Sequence, residues 1–331
     1  MIRIPQKKIA KSNKPEIKST SRLKQPEIPE YLEKRLELYF DEIGKADNEI
    51  KSKNKVIESE SKKLEHILGS KVILFLQHEQ ITRDVVSRFY DKYIDIIKNP
   101  VKNLFVLVDS GGGDVDATYH LVTLFRKMTK GKLTFIVPRW AKSAATLLVC
   151  GGNEILMNDT SEIGPLDPQI HVSGRAEEFS PLAINEVTIY INKLIEEGKK
   201  DLANMLVDRM SIMQLGQYLR ILNVSPHYLT KILKSRMLTN MEEEEILKTI
   251  SEPLTKGYPH HGYCLLMEDA QRIGLSVRKP NARAWKQIWK IWKIHDEIGD
   301  QLAIKNSILK HMKEKLDLED VAIRLTPEFF D

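Results

Sequence analysis

The sequence predicts an α/β layered domain with helical additions, and three observations carry that prediction. Short apolar runs of strand character alternate with amphipathic helical patterns from Lys71 onward. Short turns, several of them glycine-bearing, join these segments, as expected for strands linked by crossover helices. The third observation is size: 331 residues with 42% hydrophobic content can bury one substantial core and still carry extra helices.

Residues 1–28 are rich in Lys, Ser and Pro and have no hydrophobic period, which predicts a disordered basic leader. Arg3, Lys7, Lys8, Lys11, Lys14, Lys18, Arg22 and Lys24 face only Glu16 in the first two dozen residues, yet the whole chain carries a formal charge of only +5. Nucleic acid is therefore not the expected partner. Residues 29–69 predict one long amphipathic helix. Leu36, Ile43, Ile50, Ile57 and Leu64 recur every seven residues, half of a coiled-coil seam whose other half is broken by Ala46, Lys53 and Glu60. That stripe suits self-association or a partner protein, or a helix lying on its own domain.

Residues 70–279 form the predicted α/β domain. "KVILFLQ" reads as a buried strand, "RDVVSRFYDKYIDIIKN" as a helix and "NLFVLVDS" as a second strand. Gly111, Gly112 and Gly113 then lead into the helix "DVDATYHLVTLFRKM". "KLTFIVP" is a third strand, "SAATLLVC" a short helix and "NEILMN" a fourth strand. A helical insertion is expected over about 180–250, where Leu194, Leu202, Leu206 and Met210 keep helical spacing. "GYPHHGYCLLM" is strand-like, and "EDAQRIGL" is a helix. Residues 280–331 make a Trp-rich helical tail with Trp285, Ile288, Trp289, Trp292 and His295 on one face. That face suits internal packing, a partner protein or a peripheral membrane contact.

No stretch approaches the roughly 20 apolar residues of a membrane span, and the N-terminus lacks a signal-type apolar region, so a cytoplasmic location is expected. Cys150 and Cys264 sit in apolar surroundings away from any metal-ligand spacing, which predicts free buried thiols. Neither a metal nor a cofactor is expected.

Two strand-to-helix junctions carry the candidate chemistry. In "VDSGGGDV" the glycines permit a tight turn that leaves amide N–H groups at a helix start, an anion-binding feature. It is not a phosphate loop, because the Lys-Ser/Thr ending is absent and Asp114 would repel phosphate. An oxyanion formed in acyl transfer needs such donors. In "WAKSAATLLVC" Ser143 opens a helix after a strand, where it serves either as an N-cap or as a nucleophile beside the Ala144 N–H.

These two motifs, followed by "GGNEILMNDTSEIGPLDPQ", resemble the Clp-fold serine peptidases, nearest to the serine dehydrogenase proteinase (SDH) family and akin to signal peptide peptidase A. The run Gly164, Pro165, Leu166, Asp167, Pro168, Gln169 is the most specific part of the likeness, and "LTKGYPHHGYCLLMEDAQRIGL" resembles the family's closing segment. The motifs delimit about residues 70–277. The resemblance implies a Clp/crotonase-like spiral of β-β-α units, a homo-oligomer with the helical insertion at subunit contacts, and a protein or peptide substrate. It makes Ser143 the nucleophile and the Gly113 and Ala144 amides the oxyanion hole, with Gly112 shaping the turn and Gly111 standing where the family usually has proline.

The base is less plain. The position of the Clp histidine falls near Gly164 and Pro165, which argues against a Clp-type triad. By likeness to signal peptide peptidase A, a lysine about fifty residues after the serine is expected, and Lys193 fits that distance; Lys199, Lys200 and His261 compete with it. Two other readings of the same fold are an inactive scaffold acting through a partner or a membrane surface, and a crotonase-like acyl-CoA enzyme. Ser143 and the Gly-Pro-Leu-Asp-Pro-Gln run argue against the latter.

Overall fold

The computed structural model describes residues 30–171 and 178–315. In chain order its elements are α1 (Glu30–Leu68), β1 (Lys71–Leu76), α2 (Arg83–Lys98), β2 (Leu104–Asp109), α3 (Val115–Lys127), β3 (Leu133–Ile136), β4 (Trp140–Ala141), α4 (Ala144–Val149), β5 (Glu154–Leu156), β6 (Glu162–Ile163), β7 (Ile170–His171) and β8 (Glu178–Phe179). Then follow α5 (Ala183–Glu196), α6 (Lys200–Val207), α7 (Ile212–Ile221), α8 (Val224–Ile232), α9 (Glu243–Ile246), α10 (Glu252–Lys256), α11 (Met267–Ile273), β9 (Val277–Arg278) and α12 (Ala282–Lys315). Two π-helical turns, Leu233–Met237 and Leu247–Ser251, join α8 to α9 and α9 to α10.

The apolar runs become a parallel sheet in the order β1-β2-β3-β5-β9. Its strands read as nearly continuous apolar runs because both faces are covered. Successive side chains alternate between two layers. Ile73, Phe75, Val106, Val108 and Phe135 pack with α2, α3 and α4, where the Phe75, Phe89, Phe125 and Phe135 rings meet at edge-on or tilted angles. Val72, Leu107, Ile136 and Leu156 face the other way, against Ile57 and Leu64 of α1 and Ile288, Ile291 and Ile298 of α12.

The heptad stripe of α1 therefore finds its partner within the chain. Glu60 meets Gln287 and Lys290, Lys53 meets Glu297, and Asp47 meets Lys305, an antiparallel run of contacts between α1 and α12. Glu60 is buried, and its hydrogen bonds to Lys63 and then Gln287, with Lys290 beside them, hold its carboxyl down to about 2. The ends of the same helices, up to Lys45 and from Ser307, belong to a second unit with a small cluster of its own around Ile43 and Met312. The tryptophan face is largely consumed by packing: Trp292 and His295 are buried, and Trp285, Trp289 and Trp292 stack in series. Of the readings the sequence offers for this face, internal packing is the one the fold realises.

Two smaller expectations change. "GYPHHGYCLLM" is not a strand: residues 257–262 are bends and turn, and only Leu265 pairs, in an antiparallel bridge to Ile163. Cys150 is buried as expected, but Cys264 is an exposed free thiol. The expected leader and the tail beyond 315 lie outside the described residues. No helix among the described residues is long and apolar enough to cross a membrane.

A second, minor ladder matters most for function. Ile81 bridges Gly113, Ser110 bridges Ala141, β4 pairs with β6, and Ile163 bridges Leu265. These contacts lay the loops beyond the C-terminal ends of several parallel strands side by side, the usual place for a site in an open α/β sheet.

Candidate active site

Ser143 is the sole non-glycine residue of positive φ among those described, at φ 50° and ψ −127°. A backbone held there costs on the order of 1–3 kcal/mol and persists only where its surroundings fix it. They do so on both sides. Lys142 N–H donates to Ser110 O at 3.0 Å, Ser110 N–H to Trp140 O at 3.3 Å, and Ala145 N–H to Lys142 O at 2.9 Å. The Lys142 ammonium pairs with Glu162 at 3.2 Å and reaches Tyr263 O at 3.3 Å, tying this segment to the loop before α11. Although Ser143 occupies the N-cap position of α4, its hydroxyl makes no capping hydrogen bond. The side chain is thus not spent on starting the helix.

The glycine turn fits against it at a distance only glycine allows. Gly112 has φ +105°, and a Cβ there would lie 2.9 Å from Ser143 Cβ and 3.0 Å from Ala144 N. Gly113, at φ +145°, would place a Cβ 2.4 Å from Ile81 N and O. Ile81 N–H donates to Gly112 O and Asp114 N–H donates to Ile81 O, both at 2.8 Å, so the intervening Gly113 N–H points away from Ile81. Neither this N–H nor that of Ala144 donates to a protein acceptor among the described residues. Asp114 caps α3 by accepting from Ala117 N–H at 2.7 Å.

A cleft of about 450 Å³ joins these parts. Ser143 and the Gly111–Gly113 turn line one side, His78, Glu79 and Gln80 a second, and Leu166 to Gln169 with His261 a third. In that third wall His261 Nδ1 lies 2.6 Å from Asp167 Oδ1. Asp167 is 6% exposed, and its Oδ2 accepts from Gln169 Nε2 at 2.8 Å. An ionised carboxylate only accepts, so the His261 proton on this side is at Nδ1 and Nε2 is the ring's acceptor in the neutral state. The Gly-Pro-Leu-Asp-Pro-Gln run is placed by close approach and hydrogen bonds. A Cβ on Gly164 would meet Lys142 Cδ at 2.8 Å, Gly164 N–H donates to Thr146 Oγ1 at 3.1 Å, and Leu166 N–H donates to Leu254 O at 2.8 Å.

The lysines are elsewhere. Lys193 does not line the cleft; its side chain is 68% exposed on α5 and lies 4.0 Å from Glu197. Lys199 pairs with the same glutamate at 2.8 Å, and Lys200 is exposed. A lysine base needs desolvation to lose its proton near neutral pH, and an exposed, ion-paired ammonium has none. Among the competing bases the fold brings only His261 to Ser143's cleft.

Sequence reasoning missed a polar cluster behind the glycine turn. Asp109, the last residue of β2, is 7% exposed; its Oδ2 accepts from Trp292 Nε1, and its Oδ1 has no partner among the described residues. Burial pushes this carboxyl up to about 6 against the opposing pull of the Trp292 hydrogen bond and Arg139. His295 is buried and stacks on His78 at 4.0 Å; burial pushes its imidazole down to about 3, and burial lowers His78 as well. The partners lie about 180 to 220 residues apart, so no local signal announces them.

The parallel sheet and its covering helices make a Clp-like α/β fold. Residues 48–301 match the ClpP-like SDH-type serine proteinase family, and the chain belongs to it. The match reaches beyond 70–277 at both ends, into α1 and α12. Two uncharacterized proteins of Methanocaldococcus jannaschii are similar. One is 25% identical over 62% of this chain and 61% of its own length; the other is 22% identical over 69% and 65%. The chain thus spans less than two thirds of these curated relatives. Among solved structures, a serine-to-alanine mutant of the membrane-bound stomatin-specific protease 1510-N aligns with 66% of this chain and 83% of its own at 16% identity, TM-score 0.42.

Proposed function

We propose that this chain is a serine peptidase in which Ser143 is the nucleophile, His261 the general base and Asp167 the group that holds the base. The observation that carries the reading is the 2.6 Å His261–Asp167 pair in the wall of the cleft that Ser143 lines. His261 Nε2 takes the Ser143 proton as Oγ attacks a peptide carbonyl, and the imidazolium formed is stabilised by Asp167. The tetrahedral oxyanion is received by the Gly113 and Ala144 amides, which have no other acceptor among the described residues. The same imidazolium then protonates the leaving amine, and water repeats the sequence to release the acyl group. The unusual backbone of Ser143 supports the assignment, since strain at a nucleophile presents its oxygen rather than packing it away.

The substrate class is protein or peptide, and the working form is a homo-oligomer assembled through α5–α7. A fluorophosphonate probe tests the reading. The unmodified chain should be labelled and should cleave unfolded protein, while Ser143→Ala should do neither. Labelling that survives Ser143→Ala overturns the assignment.

A further inference from the structure

Helix α12 reaches the cleft from behind at two points one turn apart. Trp292 donates its indole proton to Asp109, the residue immediately before the Ser110–Gly113 turn. The next residue, Ser110, donates its N–H to Trp140 O, in the short strand that carries Ser143 at its exit. Three residues on, His295 stacks on His78 in the cleft wall, and four further on Gly299 makes room for that ring: a Cβ there would lie 2.7 Å from His78 Cε1. Trp292, His295 and Gly299 fall at i, i+3 and i+7, one face of the helix.

The Asp109 arrangement is costly for a merely structural contact. A buried carboxylate with one oxygen unpartnered stabilises a fold less than an apolar pair of similar volume would. What it supplies is a directional hold on a turn whose amides must face one point.

We propose that α12 positions the active site: the Trp292–Asp109 hydrogen bond sets the glycine turn against Ser143, and the Gly299–His295 surface holds His78 as a substrate-contacting wall. Trp292, Asp109, His295 and Gly299 are positioning residues that do not touch substrate, whereas His78 does. The inference rests on Ser143 being the nucleophile.

The two contacts should separate kinetically, with a fluorophosphonate reporting the reacting centre and fluorescein-labelled casein reporting substrate binding. Trp292→Phe, which loses only the indole N–H donor and some area, should slow fluorophosphonate labelling by about tenfold or more. Asp109→Asn retains an acceptor for the indole proton and should stay within about threefold of the unmodified chain. The double variant Trp292→Phe/Asp109→Asn removes the unpaired buried charge and so recovers stability, but it should remain as slow as Trp292→Phe. Gly299→Ala, which displaces His78, should raise KM for the casein substrate severalfold while labelling changes little. A double variant that recovers rate together with stability, or Trp292→Phe labelled at the unmodified rate, overturns the proposal, as does an unchanged KM in Gly299→Ala. An unmodified chain that takes no label overturns the nucleophile assignment and this inference with it, a result distinct from the other failures.

Discussion

The two halves of the helical insertion treat their apolar residues in opposite ways. In α8–α10 and the π-helical turns, Leu229, Ile232, Leu233, Ile246, Ile250 and Leu254 are fully buried in the main core. In α5–α7 only Ile191, Leu194 and Ala203 are buried, in a cluster of their own, while Ile189 is 61%, Met213 77% and Ile212 83% exposed. A helix that follows its period inward is finished by its own chain. One that follows it outward leaves apolar residues exposed, which is what the proposed assembly through α5–α7 would cover. The same contrast bears on the proposed base: Lys193 belongs to the outward half, while Asp167 is tied by its neighbour Leu166 to the inward half.

The sharpest way to break this contrast is to remove one group from each side. His261→Ala should lower the fluorophosphonate labelling rate by roughly a thousandfold, as loss of a triad base does, whereas Lys193→Ala should leave it nearly unchanged. A large loss in Lys193→Ala would show that α5 folds back over the cleft in the assembled protein. It would return the base to the lysine.

Assembly comes next. Ile212→Glu with Met213→Glu places charge on the most exposed apolar pair and should convert the proposed homo-oligomer to smaller species in sedimentation velocity, while the circular dichroism of the chain is retained. The equivalent change in the inward half, Leu254→Glu, should unfold the chain instead, because it buries an unpaired charge. If both sets of helices behave alike, the contrast between them is wrong.

Much of this was legible in the sequence, and the reasons for the rest are physical. The sheet was readable because both of its faces are covered, so its strands stand out as apolar runs. Ser143, the glycine turn and the Gly-Pro-Leu-Asp-Pro-Gln run were readable because close backbone approach demands small residues at fixed local spacing, as the 2.9 Å clearance at Gly112 shows. His261 was named among several bases, but nothing local ties it to Asp167, 94 residues away. The heptad stripe of α1 was seen and its partner was not, since α12 lies more than 220 residues on. Lys193 was favoured by distance along the chain, which says nothing of the direction a helix turns its face.

The seam between α1 and α12 makes an intermediate prediction. Glu60 has a folded pKa near 2 against an ordinary 4.5, a depressed carboxyl whose contribution to stability is present above the unfolded value and lost as pH falls toward 2. In urea unfolding, Glu60→Gln should therefore be less stable than the unmodified chain at pH 6, and the gap should close between about pH 4.5 and 2. A gap that is independent of pH would mean that the seam is held by its apolar residues alone.

The smallest effect falls on Ser143 itself and separates its two roles. A residue at φ 50° and ψ −127° is strained for any side chain but not for glycine, so Ser143→Gly relieves part of the roughly 1–3 kcal/mol stored there. Glycine's greater freedom in the unfolded chain takes back about 0.5–1 kcal/mol, which leaves a net gain of about 1 kcal/mol. Ser143→Ala keeps the strain and should unfold at the same urea concentration as the unmodified chain, although both variants lack the proposed nucleophile. Had the hydroxyl served as a helix cap, both substitutions would destabilise, alanine by about 1 kcal/mol and more than glycine. The order Gly above Ser and Ala together in midpoint urea concentration therefore reads the serine as a strained nucleophile, and Ser above both reads it as a cap.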